Sequence, residues 1–305
     1  MGKALKIIGW TILSLIVLLV AAWLLARFVF RDQVATYLLS GVQNDTYIEL
    51  LRKAEPYRAD KASFRFEYIQ DTARRRLTRE YFRLDTIDNP TAETWDRTLA
   101  LARFVARNIP HANQSVQPER RNAIDLWEYT RNVEPAFNCR LHSIMLHELL
   151  LACDITNRYV TCLPADSLDQ DCHVVNIVWL PEHKKWAMVD SDMRAYVTDS
   201  DGTPLSLSQM RERYINGAAM EIHPLLNEGQ PFDYTYYRTY WSKNLYWFEC
   251  AEQTSYDIET APWNKRGRVV VLRPEGFTPF DTPPHSVHTQ DAERFWAAPD
   301  PLTIQ

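Results

Sequence analysis

The sequence predicts an α+β fold in which a buried helix carrying Cys139 packs on an antiparallel sheet carrying His173 and Asp190. Three observations predict it. Leu141, Ile144, Met145, Leu149 and Leu150 recur at helical spacing behind Asn138-Cys139, giving the helix an apolar face. Val174–Leu180 and Lys184–Asp190 read as strands about the turn Pro181-Glu182-His183-Lys184. A Cys, a His and an Asp then fall, in that order, on helix, strand and strand.

The chain opens with an uncharged, mostly apolar run, Ile7–Ala26, and roughly 20 such residues span a bilayer. Lys3 and Lys6 precede it, Arg27 and Arg31 follow it, and Trp10 and Trp23 stand near its ends as interface anchors. The run is long for the core of a cleaved signal peptide and no small-x-small site follows, so residues 1–30 are expected to be a transmembrane signal-anchor. A slim positive excess on the N-terminal side places the soluble domain outside the cytoplasm, on a single-pass membrane protein. Residues 31–74 read as a juxtamembrane helical segment, with helices at Asp32–Val42 and Thr46–Glu55 joined by Asn44-Asp45.

A core over residues 75–225 follows. Thr91–Ile109 is helical, with Leu99, Leu101, Ala102, Val105 and Ala106 available for packing, and Pro110 ends it. The Cys139 helix and the hairpin come next. Ser206-x-x-Gln209 is a capping box opening a helix that Gly217 closes. Residues 226–277 are expected to pack on this core as a C-terminal extension. Within it Tyr237, Tyr240, Trp241, Leu245 and Phe248 recur at helical spacing through Tyr234–Cys250, as core packing or as a sugar- or peptide-binding wall. Arg268–Leu272 reads as a late strand, and 278–305 as a Pro-rich tail, surface-bound or loosely ordered.

Composition removes several classes. The 305 residues carry a net charge of −5 with no Lys/Arg stripe, which argues against nucleic acid as a partner. Arg74-Arg75-Arg76 is short, flanked by acids and read as a solvated helix face. With 8 Gly there is neither a Walker A nor a dinucleotide motif, and no cofactor is expected. A zinc site from Cys139-x-x-His142 and Cys172-His173 fails because adjacent strand residues point to opposite faces. Asp199-Ser200-Asp201-Gly202 echoes a calcium loop but lacks its later ligands, and reads as a turn; no metal is expected. Beside Cys139 stand Cys153, Cys162, Cys172 and Cys250. A disulfide between Cys162 and Cys172 would staple the loop leading to His173, and buried free thiols are the alternative.

The chemistry centres on Cys139. A thiol becomes a good nucleophile as thiolate, and a helix N-terminus beside an imidazolium favours that form. Asn138 is a suitable N-cap, and the backbone N–H of Cys139 is placed to serve a developing oxyanion. A buried packing thiol is the other reading of Cys139, as a core imidazole is of His173. A hairpin centred on residues 182 and 183 brings His173 opposite residue 192, or opposite 190 with a small shift. Asp190 and Asp192 share one face, so either carboxylate can orient the imidazole. His142, one turn beyond Cys139, reads as a core or solvated residue ahead of one lining the cleft.

Cys139 on its helix, the strand opening at His173 and Trp186-x-x-x-Asp190 together resemble the transglutaminase-like superfamily of papain-fold thiol enzymes. The resemblance extends to Thr94–Ile109, more weakly to Ser242–Cys250 and Arg268–Arg273, and covers residues 75 to 225 well. Two positions depart from the pattern: Ser191 stands where Pro is usual, and Phe137-Asn138 where Gly-x commonly precedes the Cys. The resemblance implies a papain-like core with Cys139 as nucleophile, His173 as general base and acid, and Asp190 as orienter. It implies a peptide or protein substrate attacked at an amide bond, by a peptidase or amidase ahead of a transferase. The superfamily also holds members without catalysis, so a silent, membrane-tethered binding module on the same fold is the rival expectation.

Overall fold

Helix caps and strand-forming runs divide this chain cleanly, and the computed structural model describes residues 2–28, 31–166, 168–227, 229, 231–262 and 266–300. Two long helices, α1 (Gly2–Phe28) and α2 (Arg31–Lys53), lead into a short strand β1 (Glu67–Tyr68). Helices α3 (Thr72–Phe82), α4 (Thr94–Asn108), α5 (Ala123–Asn132) and α6 (Cys139–Ala152) follow. Strands β2 (Asn157–Leu163), β3 (His173–Leu180), β4 (Lys185–Asp190) and β5 (Ala195–Thr198) then run consecutively. After them come α7 (Leu207–Asn216), β6 (Glu221–Pro224), α8 (Tyr234–Asn244), β7 (Trp247–Ala251) and β8 (Gln253–Thr254). Strands β9 (Val269–Leu272) and β10 (Val287–Thr289) and the short α9 (Ala292–Phe295) complete the described chain.

Among the described residues, eight strands form one sheet in the order β10-β9-β7-β2-β3-β4-β5-β6, antiparallel except for the β9–β10 pair. Strand side chains alternate faces, so each central strand feeds two cores. Tyr159, Val174, Val178, Ala187 and Val189 join one apolar cluster with residues of α4, α5 and α6. Val160, Cys162, Val175, Ile177 and Met188 join the other, with α7, α8 and the C-terminal Phe295. The molecule is therefore helices, sheet, helices, with α6 buried along its length.

The capping box at Ser206 and Gln209 forms as expected, and Gly217 closes α7 at φ 68°, a left-handed conformation that costs a glycine little. Elsewhere the structure departs from the sequence reading. α2 is one helix, not two: Asn44-Asp45 lies inside it, where packing on α8 outweighs their modest helix propensity. The aromatic stretch Tyr234–Cys250 splits, the helix ending at Asn244 and Trp247–Ala251 entering the sheet between β2 and β9. In the tail, Phe295 is fully buried. All five cysteines are free thiols. The sheet register sets Cys162 opposite His173, so Cys162 lies in the second core while Cys172 lines a cleft, and no bond joins them.

The expected membrane span, Ile7–Ala26, lies within α1. In α1 the described side chains are Ile8–Ala21 and Trp23, and among described residues no helix is long and apolar enough to cross a membrane.

Candidate active site

Asn138 starts α6 by accepting a hydrogen bond from the Leu141 backbone N–H at 3.1 Å. Cys139 takes the first helical position, half-buried, with its Sγ 3.8 Å from the Cys172 carbonyl oxygen. His173 opens β3 on the face turned towards α8. Its ring meets Tyr240 and Trp241 edge-on, centroids 5.3 and 5.2 Å away. Nε2 of His173 lies 2.6 Å from Oδ2 of Asp190, the last residue of β4, and both residues are buried. The other Asp190 oxygen accepts from the Met193 backbone N–H at 2.9 Å. With Nε2 taken, Nδ1 is the nitrogen left to meet the Cys139 thiol. Burial opposes a charged imidazole, but the Asp190 carboxylate, with a smaller contribution from Cys139, overcomes it and holds the His173 pKa well above its ordinary value.

The β3–β4 register pairs Asn176 with Val189, which sets His173 level with residue 192 beyond the strand end. Yet the carboxylate that reaches it is Asp190, on the diagonal. The chain leaves the sheet at Ser191 and carries Asp192 to other partners. His111 Nδ1 lies 2.8 Å from Asp192 Oδ1, and the buried His142 Nε2 stands at 3.5 Å, a charge contact at the outer limit of a hydrogen bond. Asp192's hydrogen bond raises the His111 pKa, whereas burial lowers that of His142. Asp192 itself is kept below the usual carboxylate range, since the hydrogen bond from His111 and the nearby imidazole charges outweigh its burial.

His111 was not singled out by the sequence. It arrives through a non-local bridge: Phe137 N–H donates to the Pro110 carbonyl at 3.0 Å and Ala112 N–H to the Phe137 carbonyl at 2.8 Å, holding the segment beside the start of α6. Tyr240 was noticed only as part of an aromatic run. Its hydroxyl donates to Asp171 Oδ1 at 2.9 Å and approaches the Cys172 carbonyl at 3.1 Å, and Lys243 Nζ lies 2.8 Å from Asp171 Oδ2. These contacts fasten the residues leading into His173 to α8.

Cys139, His173, His111 and Asp192 open together on a cleft of about 780 Å³, with Tyr236 and Tyr240 stacked along its wall at 5.6 Å. The volume suits a short peptide segment or a comparable organic substrate. Among the described residues no three His, Cys, Asp or Glu side chains are arranged to hold a metal ion. The arrangement offers a nucleophile, a proton carrier and a buried carboxylate on rigid elements, the parts needed for acyl transfer.

Residues 81–191 match the family model of the Transglutaminase-like superfamily, a span that contains Cys139, His173 and Asp190. The chain thus carries a transglutaminase-like domain. Searched against curated proteins, it finds no match. Among solved structures it is similar to a "Putative Cysteine Protease" from Cytophaga hutchinsonii, at 19% identity and a TM-score of 0.30. That similarity covers 56% of this chain and 57% of the other, so little more than half of the other protein is spanned.

Proposed function

We propose that this transglutaminase-like chain is a membrane-anchored thiol enzyme that hydrolyses amide bonds through Cys139, His173 and Asp190. One observation carries the reading: the His173 imidazole is pinned by Asp190 at 2.6 Å through Nε2, while its remaining side meets Cys139 at an open cleft. In the proposed cycle the Cys139 thiolate attacks the amide carbonyl carbon. The backbone N–H of Cys139, at a helix position without an intrahelical acceptor, donates to the developing oxyanion. The imidazolium of His173 gives its proton to the departing amine as the C–N bond breaks, leaving a thioester on Cys139. Water then attacks the thioester carbonyl and gives a proton to His173. The C–S bond breaks, the Cys139 thiolate and His173 imidazolium are restored, and the released carboxylic acid gives its proton to solvent. Water is the proposed acceptor because the half-exposed thiol leaves the thioester open to solvent.

Anchoring rests on the run Ile7–Ala26. Its described side chains include Leu18 and Trp10, 67 and 69% exposed, and a bilayer removes such apolar surface from water. The soluble body is placed outside the cytoplasm. Added protease cutting the body in intact cells agrees with that placement, and protection until lysis reverses it.

The thiol chemistry is tested by alkylating the detergent-solubilised chain with iodoacetamide. Burial pushes Cys153 up to about 12 and Cys172 and Cys250 up to about 11, so those thiols stay protonated and slow at neutral pH. Cys139 should react first, and His173→Ala should slow it at least about tenfold. If Cys139 reacts only on unfolding, the enzyme reading fails and a binding module on the same fold replaces it.

A further inference from the structure

A second cavity, of about 420 Å³, opens on the sheet face that carries α6, one residue along from the nucleophile. Its floor is formed by β2, β7 and β9, its apolar walls by Ile258, Val269, Pro283 and Pro284. Guanidinium groups gather at one end. Arg140 Nη1 lies 2.9 Å from Glu259 Oε1, Arg121 Nη1 3.5 Å from Glu259 Oε2, and Arg266 Nη1 3.6 Å from the same oxygen. Arg140 also donates to Thr161 Oγ1 at 3.2 Å, which holds its head in the cavity. Arg268, at the rim, is matched by its own partner Glu252 at 2.6 Å.

The charge balance is uneven. Even with Arg266 left aside, two cations share the single carboxylate of Glu259. Among the described residues the other acid lining the cavity is Glu249, pushed up to about 7 by burial, so it cancels only part of a charge near neutrality. Half-buried guanidiniums repel one another across a low-dielectric space, and one carboxylate neutralises the charge of only one of them. A surplus of such groups at the end of an apolar-walled cavity is what an incoming anion requires.

We propose that this cavity binds a small ligand whose oxyanion, a carboxylate or a phosphate, sits on Arg121 and Arg140 while its apolar body lies against Ile258, Val269 and the two prolines. The site is separate from the cleft, and the proposal does not depend on Cys139 being active.

The test is calorimetric titration of the full detergent-solubilised chain with phenyl phosphate, benzoate and the neutral benzamide, each beside inorganic phosphate. Saturable binding of phenyl phosphate or benzoate, at least tenfold tighter than benzamide, is expected. The preferred one of the two identifies the oxyanion. Arg121→Gln should weaken that binding about tenfold or more. Glu259→Gln, which removes the competing carboxylate, should tighten it. The second variant guards against a trivial loss of fold, since a damaged site does not gain affinity. Absence of saturable anion binding in the wild-type chain overturns the proposal. So does equal binding in wild type, Arg121→Gln and Glu259→Gln, which would mark the cluster as a structural clamp.

Discussion

Asp190 and Asp192 lie two residues apart where β4 ends, yet they serve different histidines. Asp190 accepts from His173 and from the Met193 backbone N–H, so both of its oxygens are occupied and its orientation is set. Asp192 belongs to His111. On this geometry Asp190→Asn should lower kcat by about three to four orders of magnitude, the loss expected when an orienting carboxylate is replaced and the wrong tautomer is held. Asp192→Asn should leave kcat within about tenfold of wild type and lower the His111 pKa towards the ordinary imidazole value, read by histidine NMR. Equal losses in the two variants would remove Asp190 from its assigned role. The sequence carried this site as far as strand alternation allows: it put both carboxylates on one face but held no information on where the chain leaves the sheet. His111 was beyond its reach, because the bridge between residues 110–112 and Phe137 has no local signature.

At the scale of the element, α6 buries two adjacent titratable residues whose effects on stability oppose each other. His147, bonded to Asn157 at 2.7 Å, is held neutral by burial, and its pKa falls to about 4. The unfolded chain takes up that proton first, so the His147 contribution is intact above its ordinary value of 6.5 and is lost as pH falls towards 4. Glu148 accepts from the backbone N–H groups of Ala123 and Asp257, both at 2.8 Å, yet burial raises its pKa to about 7. There the folded chain holds the proton, so stability is lost as pH climbs from 4.5 to 7. Each shift corresponds to something on the order of 3 kcal/mol, and the two slopes largely cancel between pH 4.5 and 6.5. Relative to wild type, His147→Gln should gain stability as pH falls, and Glu148→Gln as pH rises, in urea unfolding from pH 4 to 7. Parallel curves for all three proteins would refute the opposed pair. The helix itself was legible because cap and apolar face are local signals. The α8–β7 boundary was not: aromatic residues at helical spacing over Tyr237–Trp241 give way to Trp247 and Phe248 in a central strand, and both segments are rich in the same residue types. Tertiary pairing with β2 and β9 decides that boundary.

Across the whole molecule, the segment that follows α2 and the C-terminal tail close on each other over the outer core. Arg58 N–H donates to the Gln290 carbonyl at 3.0 Å, and Asp60 accepts from Thr289 and from the Gln290 N–H. Phe295 sits fully buried beside Phe66, ring centroids 5.4 Å apart, and its carbonyl accepts from the buried Arg158 at 3.1 Å. The Arg158 guanidinium lies over Phe66 and Trp186, at 3.9 and 4.6 Å from their centroids. Trp186 in turn donates from Nε1 to the Ala297 carbonyl at 3.0 Å. Trp186 stands four residues before Asp190 on β4, so the tail bears on the strand that carries Asp190. The prolines suggested a tail on the surface or loosely ordered, whereas Phe295 is buried and its carbonyl accepts from Arg158. Phe295→Ala should therefore cost about 3–5 kcal/mol in unfolding free energy, the range for removing a buried aromatic side chain. Removing residues 279–305 should cost more, because a buried cation then loses a carbonyl partner and the cover over its aromatic shelf. The discriminating measurement is kcat per folded molecule beside the unfolding midpoint. A tail that supports β4 lowers both in the truncated chain, and the point variant chiefly lowers the midpoint. If truncation leaves the midpoint unchanged, the tail is an ornament on the fold and the link from the N-terminal segment through Arg158 to Asp190 is absent.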